Sequence, residues 1–335
     1  MKTPTKLIHI GLAKSMSSTL QLHWTNSDNY VAIDPQGMTT KTDLFFDEHR
    51  NNIDGLIAKL QSSPPPFGFS TTDELQVMSG EGLASSWFSH MPDLSEHIPK
   101  RQKLLATMFG PLADKVLIMV RNPIDWIRSA YAQSLKEGGF LSRDKYLDDF
   151  SVSIEKNLDL RALVAFWEQN EAEVVILPME LFKENEESFW ISYESMLQMS
   201  RPSSSRSQKI ISNPTFYDTL GVHQSINRIL NVLETACVEN KEYRAVDGVI
   251  ESLKAARERG SRSAMERLNS DQLFELTGLL SRVEPQAELK LPTALADHLQ
   301  RNFVDFLGET QLFTFSQILE GYQKSVLPDY QGPRH

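Results

Sequence analysis

Lys14, Ser15, Ser17, Ser18 and Thr19 follow directly on the apolar run from Leu7 to Ala13, and Arg121, Asn122, Asp125 and Ser129 follow on a second run from Val116 to Val120. Cations and hydroxyls placed in this way suit the binding of anions. An apolar run of strand length that breaks into such residues and continues with helical spacing ends at a helix N-terminus. There, backbone N–H groups and the positive end of the helix dipole face outward. Two such ends side by side would make a double anion site, one for each end of a doubly phosphorylated nucleotide.

The first stretch departs from a Walker A loop, which needs G-x-x-x-x-G-K-S/T with the lysine beside the final hydroxyl. Here Gly11 is followed closely by Lys14, and no glycine immediately precedes the lysine. Lys14 stands at the lip of the strand. Ser15, Met16, Ser17, Ser18 and Thr19 then run over the first helical turn and supply N–H and O–H donors. A Ser/Thr-rich N-cap on an ordinary strand-to-helix connection would read the same way.

In the second stretch Arg121 ends the strand, Asn122 is a natural N-cap and Pro123 suits the first helical position. The helix is expected to run to about Glu137, where Gly138-Gly139 stops it. Asp125 and Ser129 share a helical face, so Arg121 and Ser129 can converge above the helix start. The alternative is an arginine that satisfies the cap and a solvated serine. Arg128 reads as a surface residue.

Together the two stretches resemble the phosphosulfate-dependent sulfotransferases. That family carries a lysine-led 5′-phosphosulfate loop close to P-K-S-G-T-T-x-L, and Ala13-Lys14-Ser15-Met16-Ser17-Ser18-Thr19-Leu20 is similar to it, with Ala13 in place of the proline and Met16 in place of the glycine. It also carries a 3′-phosphate segment close to R-N-P-x-D-x-x-x-S-x-Y, matched by Arg121-Asn122-Pro123, Asp125, Ser129 and Tyr131. Many bacterial members show S-S-E-x-L at the end of the third strand. Glu81, in Ser79-Gly80-Glu81, falls on that glutamate. A carboxylate at the C-terminal edge of a parallel sheet lies where open α/β folds bind ligands; a glutamate favouring the dipole of a helix starting near Leu83 is the other reading. Arg259-Gly260 could stand in for a late R-K-G-type loop that closes over the cofactor, or belong to a basic, solvated helix face. Asn213-Pro214-Thr215 bears a fainter likeness to another late segment. The resemblance covers residues 5 to about 200.

The resemblance implies that 3′-phosphoadenosine 5′-phosphosulfate (PAPS) is the donor and adenosine 3′,5′-bisphosphate (PAP) the product. Lys14 would sit at the bridging oxygen where negative charge grows, and Ser17, Ser18 and the loop amides would hold the 5′-phosphate. Arg121 and Ser129 would clamp the 3′-phosphate. No metal is required in such a site, because the lysine and helix dipoles supply positive charge. Glu81 is the first choice for the base that takes the acceptor's proton, with Asp34 and Asp73 as reserves. The Ser-Gly-Glu segment favours a saccharide or glycan hydroxyl as acceptor.

At 335 residues the chain can bury a substantial core. Its 34 basic and 44 acidic residues give a net charge of −10, which argues against nucleic acid as a bulk electrostatic partner. The single Cys237 excludes an intrachain disulfide and a cysteine-based metal cluster. No apolar run reaches the roughly twenty residues needed to span a bilayer. Leu7–Ala13 is too short for a secretory signal, so a cytoplasmic location is expected. His23, His49, His90 and His97 show no ligand spacing. The five tryptophans read as core, with Trp24 and Trp87 also suited to flank an adenine or sugar ring.

The elements that must position these residues alternate as a parallel sheet covered by helices requires. Strands are expected at Lys6–Gly11, Tyr30–Asp34, Leu75–Ser79, Val116–Val120 and Val174–Leu177, giving a three-layer α/β fold of about five parallel strands with a P-loop-like sulfotransferase core. Helices are expected at Ser18–Trp24, Asp47–Gln61, Lys100–Phe109, Pro123–Glu137, Leu158–Gln169 and Phe189–Met199. Residues 1–210 form this core. Residues 211–335, helical in period from about Phe216, form a C-terminal region packed on it, lining the acceptor site or forming a homodimer interface. Three functions fit the pattern. The first is a sulfotransferase acting on a small-molecule or glycan hydroxyl. The second is a P-loop kinase or NTPase, which needs Mg²⁺ and a metal-holding aspartate such as Asp34. The third is a catalytically inactive nucleotide-binding module of the same fold, for which Met16 is the best argument.

Overall fold

The computed structural model describes residues 5–12, 16–33, 52–62, 69, 74–80, 95–136, 139–203, 224, 227–228 and 290–327. The five apolar runs form five strands: β1 Lys6–Gly11, β2 Tyr30–Ile33, β3 Leu75–Gly80, β4 Lys115–Val120 and β5 Glu173–Pro178. All pair in parallel, in the order β2-β3-β1-β4-β5. β4 and β5 each begin one residue earlier than their apolar runs. Lys115 and Glu173 are register partners, and the buried Lys115 ammonium bonds the Glu173 carboxylate, so a paired charge extends the ladder where an apolar residue would ordinarily stand. At the same end of the sheet, the Asp114 carboxylate accepts from the backbone N–H groups of Thr5 (2.8 Å) and Lys6 (2.9 Å) and fixes the start of β1.

The central strands are buried on both faces, as helices on two sides require. On one face Leu7, Val77, Leu117, Met119, Val175 and Leu177 pack with α1 (Ser17–Thr25) through Leu20 and Trp24. Phe189, Trp190, Tyr193 and Leu197 of a later helix, Glu186–Leu197, join the same cluster. The Tyr30 hydroxyl donates to the Ser200 carbonyl (2.7 Å) and lies 3.0 Å from the Tyr193 hydroxyl, tying that helix to β2. Ile8, Ile10, Met78, Val116, Ile118, Val120 and Ile176 alternate with these residues and are likewise fully buried.

In chain order the remaining helices are α2 (Ile53–Ser62), α3 (His97–Phe109), α4 (Pro123–Lys136), α5 (Arg143–Asn157), α6 (Leu160–Glu168), α7 (Met179–Glu184) and α8 (Glu186–Leu197). Beyond these lie α9 (Thr293–Leu299), a π-helical turn Gln300–Asp305, α10 (Phe306–Glu309) and α11 (Ser316–Val326). α5 and α7 go beyond the sequence expectation. α5 buries Tyr146, Leu147, Phe150 and Ile154, a narrow stripe in an otherwise charged segment; α7 is too short to show a period. α6 and α8 start where side chains cap them: Asp159 accepts from Ala162 N–H (3.0 Å) and Asn185 from Ser188 N–H (3.0 Å).

The chain divides into two compact units. One comprises Met1–Trp126, Ser151–Ser212 and Pro292–His335, and contains the sheet. The other comprises Ile127–Phe150 and Asn213–Leu291. Within the second, the Asn227 side-chain amide donates to the carbonyls of Leu135 (2.7 Å) and Gly139 (2.8 Å). No helix among the described residues is long and apolar enough to cross a membrane.

Candidate functional site

β1 sits between β3 and β4, the point where the strand order reverses: the connection from β1 leads to β2 on one side, and that from β4 leads to β5 on the other. In open α/β sheets, the crevice beyond the strand C-termini at such a reversal is where ligands bind. Gly11 and Met119 are register partners, and Leu12 N–H donates to the Met119 carbonyl at 3.3 Å. The loop carrying Lys14 and the turn carrying Arg121 therefore leave adjacent strands at one edge of the sheet. Lys14, Ser15, Glu81, Arg259 and Gly260 lie outside the described residues, as do Asp34, Asp73 and Trp87.

At the first strand mouth, Met16 precedes α1 with φ 70 and ψ 13, the left-handed conformation that glycine adopts most readily. Its carbonyl accepts from Thr19 N–H (3.0 Å) and Leu20 N–H (3.1 Å), but no side chain caps the helix. Ser17 is 1% exposed, and its hydroxyl has no hydrogen-bond partner among the described residues. Ser18 is exposed and Thr19 half-buried. Gly11 makes room for the Ser17 hydroxyl: a Cβ at Gly11 would lie 1.7 Å from Ser17 Oγ. That same Cβ would lie 3.5 Å from Cε1 of His9. An orphaned buried hydroxyl at a helix start without a side-chain cap, in a cradle that a single methyl would fill, fits the phosphate end of a ligand.

His9 is a residue that sequence reasoning passed over. It lies wholly buried on the same face of β1 as Leu7, its Nδ1 2.7 Å from Ser79 Oγ and its ring 5.0 Å from that of Trp24. Its Nε2 has no hydrogen-bond partner among the described residues. Burial lowers its pKa from 6.5 to about 3, so the ring is neutral. The signal was a histidine inside the apolar strand LIHIG. Trp24 is in the core, 1% exposed, and is not placed to flank a nucleotide ring.

At the second strand mouth, Asn122 caps α4 as expected. Its side-chain oxygen accepts from the N–H groups of Ile124 (3.0 Å) and Asp125 (3.4 Å), and Pro123 is the first helical residue. Arg121 is half-buried and Arg128 exposed. Partners distant in the chain hold this turn. Asn122 N–H donates to Glu180 Oε1 (2.9 Å), and the Tyr322 hydroxyl donates to Glu180 Oε2 (2.5 Å). Lys183, one turn along α7 from Glu180, has its pKa lowered by desolvation first and by the Arg121 guanidinium second, with Glu180 and Asp125 partly offsetting both. A carboxylate directly after β5 was the available signal for Glu180, since strand ends at this edge face ligands.

Ser129 and Tyr131 belong to the second unit. Ser129 is buried. The Tyr131 hydroxyl donates to the Leu141 carbonyl (3.0 Å) and accepts from the Gln224 amide (3.2 Å), and desolvation raises its pKa to about 12.

Among the described residues, then, the arrangement is one of two adjacent helix starts at a single sheet edge, one lined by an orphaned hydroxyl and the other headed by an arginine. Groups of these types, so placed, can bind an anion. No protein-family model matches the chain, and no curated protein matches it.

Proposed function

We propose that the protein is a sulfotransferase that moves the sulfuryl group of PAPS to an acceptor hydroxyl, on a saccharide or glycan, in the cytoplasm. The observation that carries this reading is the meeting of the two strand mouths at the sheet's reversal point, with the Ser17 hydroxyl unpartnered beneath one and Arg121 heading the other.

In this reading the PAPS donor supplies an activated sulfuryl group on its 5′-phosphate. Ser15, Met16, Ser17, Ser18 and Thr19 provide the amides and hydroxyls that hold the 5′-phosphate, and the α1 dipole adds to them. Lys14 stabilises the charge that builds on the leaving oxygen, the role of a preorganised cation in group transfer. Arg121, with Ser129, recognises the 3′-phosphate and so separates this donor from ATP. Glu81 takes the proton of the acceptor hydroxyl. Arg259 and Gly260 belong to the nucleotide site in the same reading.

Calorimetric titration with PAP and with ATP, each with and without Mg²⁺, tests the reading. Tight PAP binding indifferent to Mg²⁺ supports it; preference for Mg²⁺-ATP overturns it in favour of a kinase or NTPase. A labelled-sulfate transfer screen over glycan, lipid and phenolic acceptors then identifies the acceptor. PAP binding without transfer to any of them would mark an inactive module.

A further inference from the structure

We propose that the C-terminal helix α11 is a positioning element for the Arg121 turn, with Tyr322 and Ser325 setting the affinity of the site for a phosphate on the ribose 3′ position. The proposal rests on the reading of Arg121 given above.

Three observations carry it. First, α11 holds both handles of Asn122. The Ser325 hydroxyl lies 3.1 Å from Asn122 Oδ1, the atom that already accepts from the first N–H groups of α4, and shares its one proton between that oxygen and the Tyr322 carbonyl at 2.8 Å. Through Glu180, Tyr322 also governs the Asn122 backbone N–H. That N–H belongs to the peptide plane shared with Arg121, so its orientation determines where the arginine side chain leaves the backbone.

Second, these contacts are polar and well satisfied where most of the fold is held by apolar packing. Tyr322 is 1% exposed, and a hydroxyl 2.5 Å from a carboxylate is a charge-assisted bond of the strong kind. Burial and the Glu180 carboxylate push the Tyr322 pKa well up, so the phenol remains a donor. Both Glu180 oxygens are thereby engaged, one by each partner. α11 itself buries only Tyr322 and Val326.

Third, the partners come from distant parts of the chain. Tyr322 is 142 residues from Glu180, and Ser325 is 203 residues from Asn122. Local sequence around Arg-Asn-Pro cannot supply this support; the returning C-terminal segment does.

The test uses the full-length protein and two variants, Tyr322→Phe and Ser325→Ala. Tyr322→Phe keeps the ring that packs on Phe303 and Phe313 and removes only the hydroxyl. Each protein is titrated with PAP and with adenosine 5′-monophosphate, which lacks the 3′-phosphate, and melted alongside. Tyr322→Phe is expected to weaken PAP binding about tenfold and Ser325→Ala about threefold, while affinity for the monophosphate stays within about twofold. A purely structural helix would lower the melting temperature and weaken both nucleotides alike. Equal losses, or none, overturn the proposal. Should Tyr322→Phe fail to fold, the same ratio measured for Ser325→Ala decides. If the wild-type protein itself binds PAP no better than the monophosphate, the reading of Arg121 fails and the positioning role with it.

Discussion

His9 and Ser79 are register partners on β1 and β3, and their side chains meet at 2.7 Å between Nδ1 and Oγ. The pair joins the two strand ends that lead into the Lys14 loop and the Glu81 segment. The Gln21 side-chain amide reaches the Ser79 carbonyl from α1 at 3.5 Å, adding a third element to the same corner. Held among Trp24 and the apolar core, the imidazole cannot accept a proton without a desolvated charge appearing there.

That cost makes stability depend on pH. The folded pKa is about 3 against an ordinary 6.5, so between those values the unfolded chain binds one proton more than the folded one at this site. Folding stability from His9 is full above pH 6.5 and falls as the pH drops toward 3, by about 1.4 kcal/mol per unit. His9→Asn keeps a polar atom near Ser79 and removes the titration. Urea unfolding of both proteins across this range should show the wild type losing about 2–3 kcal/mol relative to the variant by about pH 4.5. Parallel pH profiles would show that His9 is not a buried neutral group.

The sheet was legible in the sequence because its strands are buried on both faces and so read as unbroken apolar runs. The loss of legibility begins wherever a contact is set by distant partners. Lys115 and Glu173 fell outside the expected strands because each is charged; as cross-strand partners they lengthen two strands. α5 was missed because its four buried hydrophobic residues are diluted by acidic and basic neighbours. For the site, the cap at Asn122 and the hydroxyl-rich start of α1 were readable from local spacing. His9 was not, since a histidine's burial depends on a tryptophan from the next element, and the Glu180–Tyr322 bond joins residues with no sequence relation.

Ser17 offers a test in which stability and binding should part company. Its hydroxyl is buried without a partner among the described residues, so Ser17→Ala removes an unsatisfied group and should leave stability unchanged or raise it by up to about 1 kcal/mol. Affinity for PAP should nonetheless fall about tenfold, because the proposed site uses this hydroxyl to hold the 5′-phosphate. Gly11→Ala drives a methyl into the same space, 1.7 Å from Oγ, and should weaken PAP binding by a similar factor. The double variant should bind no worse than either single one. Additive losses in calorimetry would mean that the two positions act independently.

Met16 holds a conformation suited to glycine while its side chain packs against the core. Alanine there would keep the backbone strain and lose the packing. Glycine would lose the packing but relieve a left-handed strain of about 1–2 kcal/mol. Met16→Gly is therefore expected to be more stable than Met16→Ala by about 1 kcal/mol in chemical denaturation, the reverse of the order found inside a helix. Alanine proving the more stable would mean that the left-handed turn does not persist in solution.

The two cations of the proposed site should fail in different ways. Arg121 is assigned to ground-state recognition of the 3′-phosphate. Arg121→Ala should therefore weaken PAP about tenfold to a hundredfold and raise KM for the donor more than it lowers kcat. Lys14 is assigned to charge that appears only as the sulfuryl group departs. Lys14→Ala should lower kcat by about two to three orders of magnitude while shifting PAP affinity much less. Sulfate transfer under single-turnover conditions, with PAP titration and thermal melting of each variant, separates the two effects from misfolding. If Lys14→Ala retained full turnover, the lysine would have no part in the chemistry. If Arg121→Ala bound PAP and adenosine 5′-monophosphate in the wild-type ratio, the second strand mouth would not be the 3′-phosphate site. Because the β1 and β4 exits are neighbours in the sheet, both outcomes together would require the nucleotide to lie away from the reversal point altogether.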